Sequence, residues 1–94
     1  MKFYHGTSKE NWKKIQEEGC LWGRRYVLNS DGTVDHEVDR CTYLAVDEQE
    51  ARCYGEVVLE VDYDPASSKH NNYCDGCWQV RVYEPIPLNR ISLK

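Results

Sequence analysis

No stretch of this 94-residue sequence approaches the roughly 20 apolar residues a membrane span requires. The amino terminus, Met1-Lys2-Phe3-Tyr4-His5, is polar by its fifth residue and lacks the apolar region of a signal peptide. A soluble, cytoplasmic protein without membrane association is therefore expected. Basic residues are also scarce: 12 Lys and Arg stand against 16 Asp and Glu, giving a formal charge of −4 with the acids spread along the chain. Broad nucleic-acid affinity needs a concentrated Lys/Arg surface, so that class is disfavoured. Lys13-Lys14 reads as an ordinary mixed-charge surface, whereas Arg24-Arg25 sits in a loop where a binding role is equally open. The five cysteines cannot all pair internally. Cys74-Asp75-Gly76-Cys77 has the spacing of half a metal knuckle or a redox dithiol, but no second such pair and no His pair complete a four-coordinate site. Reduced, unligated thiols and no metal are expected. There is no repeat, linker or low-complexity tract. Ninety-four residues leave room for one domain, and the three Trp, seven Tyr and lone Phe are expected to supply much of its core.

The pattern along the chain alternates strand and helix signals. Lys2 to His5 reads as a short strand with Phe3 and His5 on one face and Tyr4 on the other. Gly6-Thr7-Ser8 breaks it, and Thr7 (with Glu10 at capping-box spacing) or Ser8 caps a helix through Glu18. Trp12 and Ile15 face inward on that helix, and Gly19 fits its left-handed end. Leu21 to Arg40 is irregular, with short extended pieces around Tyr26–Leu28 and Val34 and a turn at Asn29-Ser30-Asp31-Gly32. So long a loop in a small domain usually covers or binds something. Thr42 to Val46 is a strand, and Asp47 caps a second short helix to about Tyr54. Strands follow at Glu56 to Asp62 and Trp78 to Tyr83, Pro85 and Pro87 break the latter, and Ile91 to Leu93 is the last. The expected fold is a single α+β domain with a small, mostly antiparallel β-sheet and two short helices.

Three segments carry residues suited to chemistry. In Tyr4-His5-Gly6-Thr7-Ser8, a His at a strand end can offer a ring nitrogen to a ligand hydroxyl, and the Gly lets backbone approach a planar amide. Taken alone, such a His is more often structural. In Thr42-Tyr43-Leu44-Ala45, a strand Tyr can stack on a heteroaromatic ring, worth about 0.5–1.5 kcal/mol beyond burial, although in isolation it reads as a core aromatic. In Trp78-Gln79-Val80-Arg81-Val82-Tyr83-Glu84-Pro85, Gln79 and Arg81 share a strand face.

Taken in order, these segments resemble the three motifs of the ADP-ribosyltransferase superfamily. The branch is the His-Tyr-Glu one that includes diphtheria toxin, the poly-ADP-ribose polymerases and small bacterial and phage relatives. Tyr-His-Gly-Thr-Ser is similar to the first motif, Tyr43 with Ala51 and Tyr54 behind it to the second, and the Gln79 strand to the third. The resemblance implies a split antiparallel sheet and NAD as co-substrate. It implies that His5 bonds a ribose hydroxyl, that Gly6 grips the nicotinamide amide with Thr7 beside it, and that Tyr43 stacks on the nicotinamide. Arg25, or its neighbour Arg24, could reach the pyrophosphate. The implied activity is transfer of ADP-ribose from NAD to a macromolecule, with protein as the expected acceptor. The third motif departs from the family, because Gln79 stands where a Glu usually stabilises the developing oxocarbenium charge. Glu84 is the alternative carboxylate, but it is out of phase with Gln79 and would need a bulge to turn inward. Two other functions stay open: a non-catalytic module holding NAD, ADP-ribose or a related nucleotide, and a small phage or mobile-element effector acting by protein–protein binding.

Overall fold

In the computed structural model the described residues are 1–23, 26–37, 41–73 and 78–94. Along the chain run β1 (Lys2–Thr7), α1 (Lys9–Glu18), β2 (Cys20–Leu21), β3 (Tyr26–Leu28), β4 (Val34–Glu37), β5 (Thr42–Ala45), α2 (Glu48–Arg52), β6 (Val57–Asp62), β7 (Gln79–Val82), β8 (Ile86–Pro87) and β9 (Ile91–Leu93). One five-stranded sheet has the order β7-β5-β1-β6-β9 with every neighbour antiparallel, and β2–β8 and β3–β4 form two further pairs. The fold is thus α+β with antiparallel sheets and two helices. No helix among the described residues is long and apolar enough to cross a membrane.

The alternation within the strands assigns the two faces of the large sheet. Phe3, Leu44, Leu59, Val61, Val80 and Val82 are fully buried and point to one side, where Ile15 of α1, Leu21 and Ile86 close the main core. Phe3 meets Tyr63 and Tyr73 edge-on, with ring centroids 6.4 Å and 6.1 Å away. The other side carries a smaller cluster of Ala45, Ala51 and Val58, with Tyr4 packed against it.

The helix caps follow the chain's local chemistry. Ser8 accepts from the Asn11 N–H at 3.1 Å, and Gly19 ends α1 at φ 78°, a left-handed conformation that costs glycine little. Thr7, the other candidate cap, is instead the last residue of β1. Asp47 caps α2 by accepting from Gln49 N–H at 2.8 Å, but α2 stops at Arg52, short of Tyr54.

Two expectations need correction. The aromatic residues do not dominate the core: Trp12 and Trp22 are half-buried, while Trp78, Tyr54 and Tyr83 are exposed at 57%, 59% and 41%. Aliphatic residues of the central strands fill it instead. The segment after Glu84 is also more regular than its two prolines imply, since Ile86 and Pro87 pair with Leu21 and Cys20. A proline tolerates this place because β8 belongs to a two-stranded pair, whose outer edge needs no donor.

Candidate functional site

β1 is fully paired with β6, from Lys2 opposite Asp62 to Thr7 opposite Val57, but its pairing with β5 is limited to Tyr4 opposite Ala45. The sheet is therefore opened between β1 and β5 beyond that point. His5 spans the opening, with its Nδ1 2.9 Å from the Tyr43 carbonyl oxygen. A carbonyl can only accept, so Nδ1 carries the proton and Nε2 is left as an acceptor. Burial lowers the His5 pKa from its ordinary value, opposed in part by the same hydrogen bond, so the ring is neutral at neutral pH.

A cleft of about 410 Å³ lies at the opening, lined by Tyr4, His5, Gly6, Tyr43, Ala45, Ala51, Tyr54 and Gln79. The registers Tyr4–Ala45, Ala45–Gln79 and Tyr43–Arg81 put Tyr4, Tyr43, Gln79 and Arg81 on one sheet face. His5 belongs by alternation to the core face and enters the cleft from its side, through the gap. Small residues form the cleft's closed end. A Cβ on Gly6 would stand 1.8 Å from the Ala51 carbonyl oxygen, and one on Gly55 would stand 2.2 Å from that of Thr7. Gly6 is thus required by the seat of α2 against β1, whatever it does for a ligand.

Behind His5 a second cleft of about 400 Å³ is bounded by Thr7, Asn11 and Lys14, with Glu18, Trp22 and Gly23 on its far side. Gly23 donates to Thr42 Oγ1 at 2.9 Å and lies so close to Cys41 that a Cβ would meet its carbonyl oxygen at 2.1 Å. This contact ties the chain after β2 to the start of β5. His5 is shared between the two clefts.

Of the residues expected at the site, His5, Gly6, Tyr43 and Gln79 come together in the first cleft, and Thr7 lines the second. Glu84 does not join them. It accepts from the Tyr63 hydroxyl at 3.0 Å and lines a separate cleft of about 200 Å³ with Asp64, Pro85 and Arg90. As a candidate for carboxylate chemistry beside His5 it is set aside, because the chain leaves β7 before reaching it and no bulge turns it inward. Arg24, Arg25, Cys74 and Cys77 lie outside the described residues. Cys20, Cys41 and Cys53 are free thiols, and no group of three or more possible metal ligands occurs among the described residues.

Sequence reasoning missed Tyr4 and Ala45 as lining residues, and it placed Arg81 on the Gln79 face without its contact to Tyr43. Tyr4 had been assigned to the face away from His5, which is correct but is also the face of the cleft. Its alternation with Gly6 and the matched parity of Tyr43 and Gln79 could have shown this. The Arg81 guanidinium rests on the Tyr43 ring, 5.6 Å from its centroid. Among the described residues the cleft lining contains no carboxylate. No family model, curated protein or solved structure matches the chain.

Proposed function

We propose that this protein binds NAD at the opening between β1 and β5 and belongs functionally with the ADP-ribosyltransferases. One observation carries the reading: His5, Gly6, Tyr43 and Gln79, drawn from three distant parts of the chain, line one cleft. On this reading the nicotinamide ring lies among Tyr4, Tyr43 and Tyr54, whose π faces suit a cationic pyridinium. His5 Nε2, fixed as an acceptor, receives a hydrogen bond from a ribose hydroxyl. The second cleft beyond His5 gives room for the other half of a two-part ligand. In the transfer, the bond between ribose C1′ and the nicotinamide nitrogen breaks, its electron pair leaves with neutral nicotinamide, and an acceptor's lone pair forms the new bond to C1′. Gln79 can orient the ribose by hydrogen bonding, but it supplies no negative charge to the oxocarbenium-like centre.

Incubating the protein with NAD and acceptor-containing lysate, with chromatography of released nicotinamide, tests the activity. Release that His5→Ala and Tyr43→Ala abolish supports it, and absence of release with every lysate removes it. The lack of a carboxylate in the described lining favours a second reading, a module that binds NAD or ADP-ribose without cleaving it. Calorimetry that finds neither nucleotide bound eliminates that reading as well.

A further inference from the structure

The cleft has a cation at its margin that the nucleotide reading has not used. Arg81 is exposed on the sheet face, one residue pair along from Gln79, and its guanidinium lies over the Tyr43 ring, 5.6 Å from the centroid. Tyr83 lies near it as well, and Tyr83 and then Tyr43 hold its pKa above the ordinary arginine value. Among the described residues no carboxylate pairs with it. The chain as a whole carries a net charge of −4, so an exposed guanidinium beside the cleft stands out against it. An exposed guanidinium has N–H donors to offer, and its planar fork suits bidentate recognition of a phosphate.

We infer that Arg81, set beside Tyr43, forms a phosphoryl-binding site at the mouth of the cleft. The phosphoryl group belongs either to the nucleotide in the cleft or to the acceptor presented to it. Both sources share one chemistry, a phosphate beside a ring seated on Tyr43. The inference deepens the NAD reading and rests on it for the identity of that ring. The guanidinium's affinity for phosphate stands apart from that identity.

An NMR titration with labelled protein tests it, following the Arg81 Nε–H signal and the ring signals of Tyr43 and Tyr83. The probes are nicotinamide riboside, nicotinamide mononucleotide and inorganic pyrophosphate. If the nucleotide is the source, the mononucleotide binds about tenfold tighter than the riboside. The advantage disappears in Arg81→Ala, survives in part in Arg81→Lys and shrinks with added salt. If the acceptor is the source, the two nicotinamide ligands bind alike, and pyrophosphate shifts Arg81 and the Tyr43 ring in native protein saturated with riboside, while the Tyr43 ring stays unmoved in Arg81→Ala. Because Arg81 is exposed, both variants should retain native amide spectra, and Arg81→Lys serves alone if the alanine variant does not. Pyrophosphate acting at Arg81 while neither nicotinamide ligand binds preserves the phosphoryl site and refutes the NAD reading. The inference is overturned if the mononucleotide has no advantage and pyrophosphate leaves Arg81 unmoved, or if either effect is unchanged in the variants.

Discussion

Replacing Gly6 with alanine should collapse the seat of α2 and damage the cleft together with the fold. The added Cβ would stand 1.8 Å from the Ala51 carbonyl oxygen and 3.2 Å from the Tyr54 Cβ. Opening 1.8 Å to the 3.0 Å that real contacts respect requires a retreat of about 1.2 Å. The obstructing atom is backbone, so no rotamer change relieves it. Nor is α2 free to slide, because Gly55 just beyond it is already pressed against Thr7. Overpacking typically costs about 1–3 kcal/mol, and a fixed backbone partner puts Gly6→Ala at the upper end, about 3 kcal/mol. In a domain of this size that lowers the melting temperature by about 12–24 °C. Gly19→Ala is the control: Gly19 has φ 78° and nothing within 4 Å of its imagined Cβ, so it loses only the left-handed preference, about 1 kcal/mol. Urea unfolding followed by tryptophan fluorescence measures both. Because Ala51 and Tyr54 line the cleft, the Gly6 variant should also bind NAD more weakly while still folded. A loss below about 0.5 kcal/mol for Gly6→Ala would refute the reasoning, since it would mean that α2 yields freely.

Three further outcomes are expected. The lowered pKa of His5 means that the unfolded chain takes up a proton near its ordinary value while the folded protein resists it. Stability, relative to a His5→Gln variant, should therefore fall as pH drops below about 6.5, by no more than about 1.4 kcal/mol per unit; denaturation at a series of pH values checks this. Asn71→Ala should cost about 2 kcal/mol by urea denaturation, because the Asn71 amide lies 3.0 Å from the Pro65 and Ser68 carbonyl oxygens, while its own oxygen accepts from Tyr73 N–H at 3.1 Å. Gln79→Glu should raise nicotinamide release from NAD at least about tenfold if the ribose charge develops beside that residue, and an unchanged rate argues that it does not.

Most of the strand and helix order was legible because its signals are local. Ser8 and Asp47 are caps, Gly19 is a left-handed terminus, and Phe3, Val80 and Val82 sit on strands whose alternation marks the core face. What escaped was set by pairing partners distant in sequence. Nothing near Cys20 announces that it will lie opposite Pro87, and nothing near Glu48 says that α2 must end early to bring Gly55 onto Thr7. The site was legible in its members but not in its geometry. Alternation places His5 with Phe3 on the core face, and local reasoning cannot show that the sheet opens beside it and lets the ring reach the Tyr43 carbonyl. Arg81 was visible as a residue sharing a face with Gln79. Its place over Tyr43 depends on the register between β5 and β7, which no short window of sequence contains.

The protonation chemistry of the cleft restricts the reactions it could assist. His5 has committed its only ring proton to Tyr43 and resists taking a second, and the described lining adds no carboxyl group. Among the described residues of the lining, neither an imidazolium nor a carboxylic acid is therefore at hand to protonate a departing group. Cleavage of an ordinary, neutral nucleoside would be poorly served, because its base must gain a proton to leave well. A pyridinium riboside differs, since its leaving group is already cationic and departs neutral when the bond breaks. The same reasoning applies to the acceptor. Without a carboxylate to remove its proton, a nucleophile that is anionic at neutral pH has the advantage over a hydroxyl or an amide, and a phosphate monoester meets that condition. If Arg81 holds such a group, the absence of Glu at position 79 and the presence of Arg at position 81 become parts of one arrangement. A described lining without a carboxylate would then suit a substrate pair that asks little of an acid or a base.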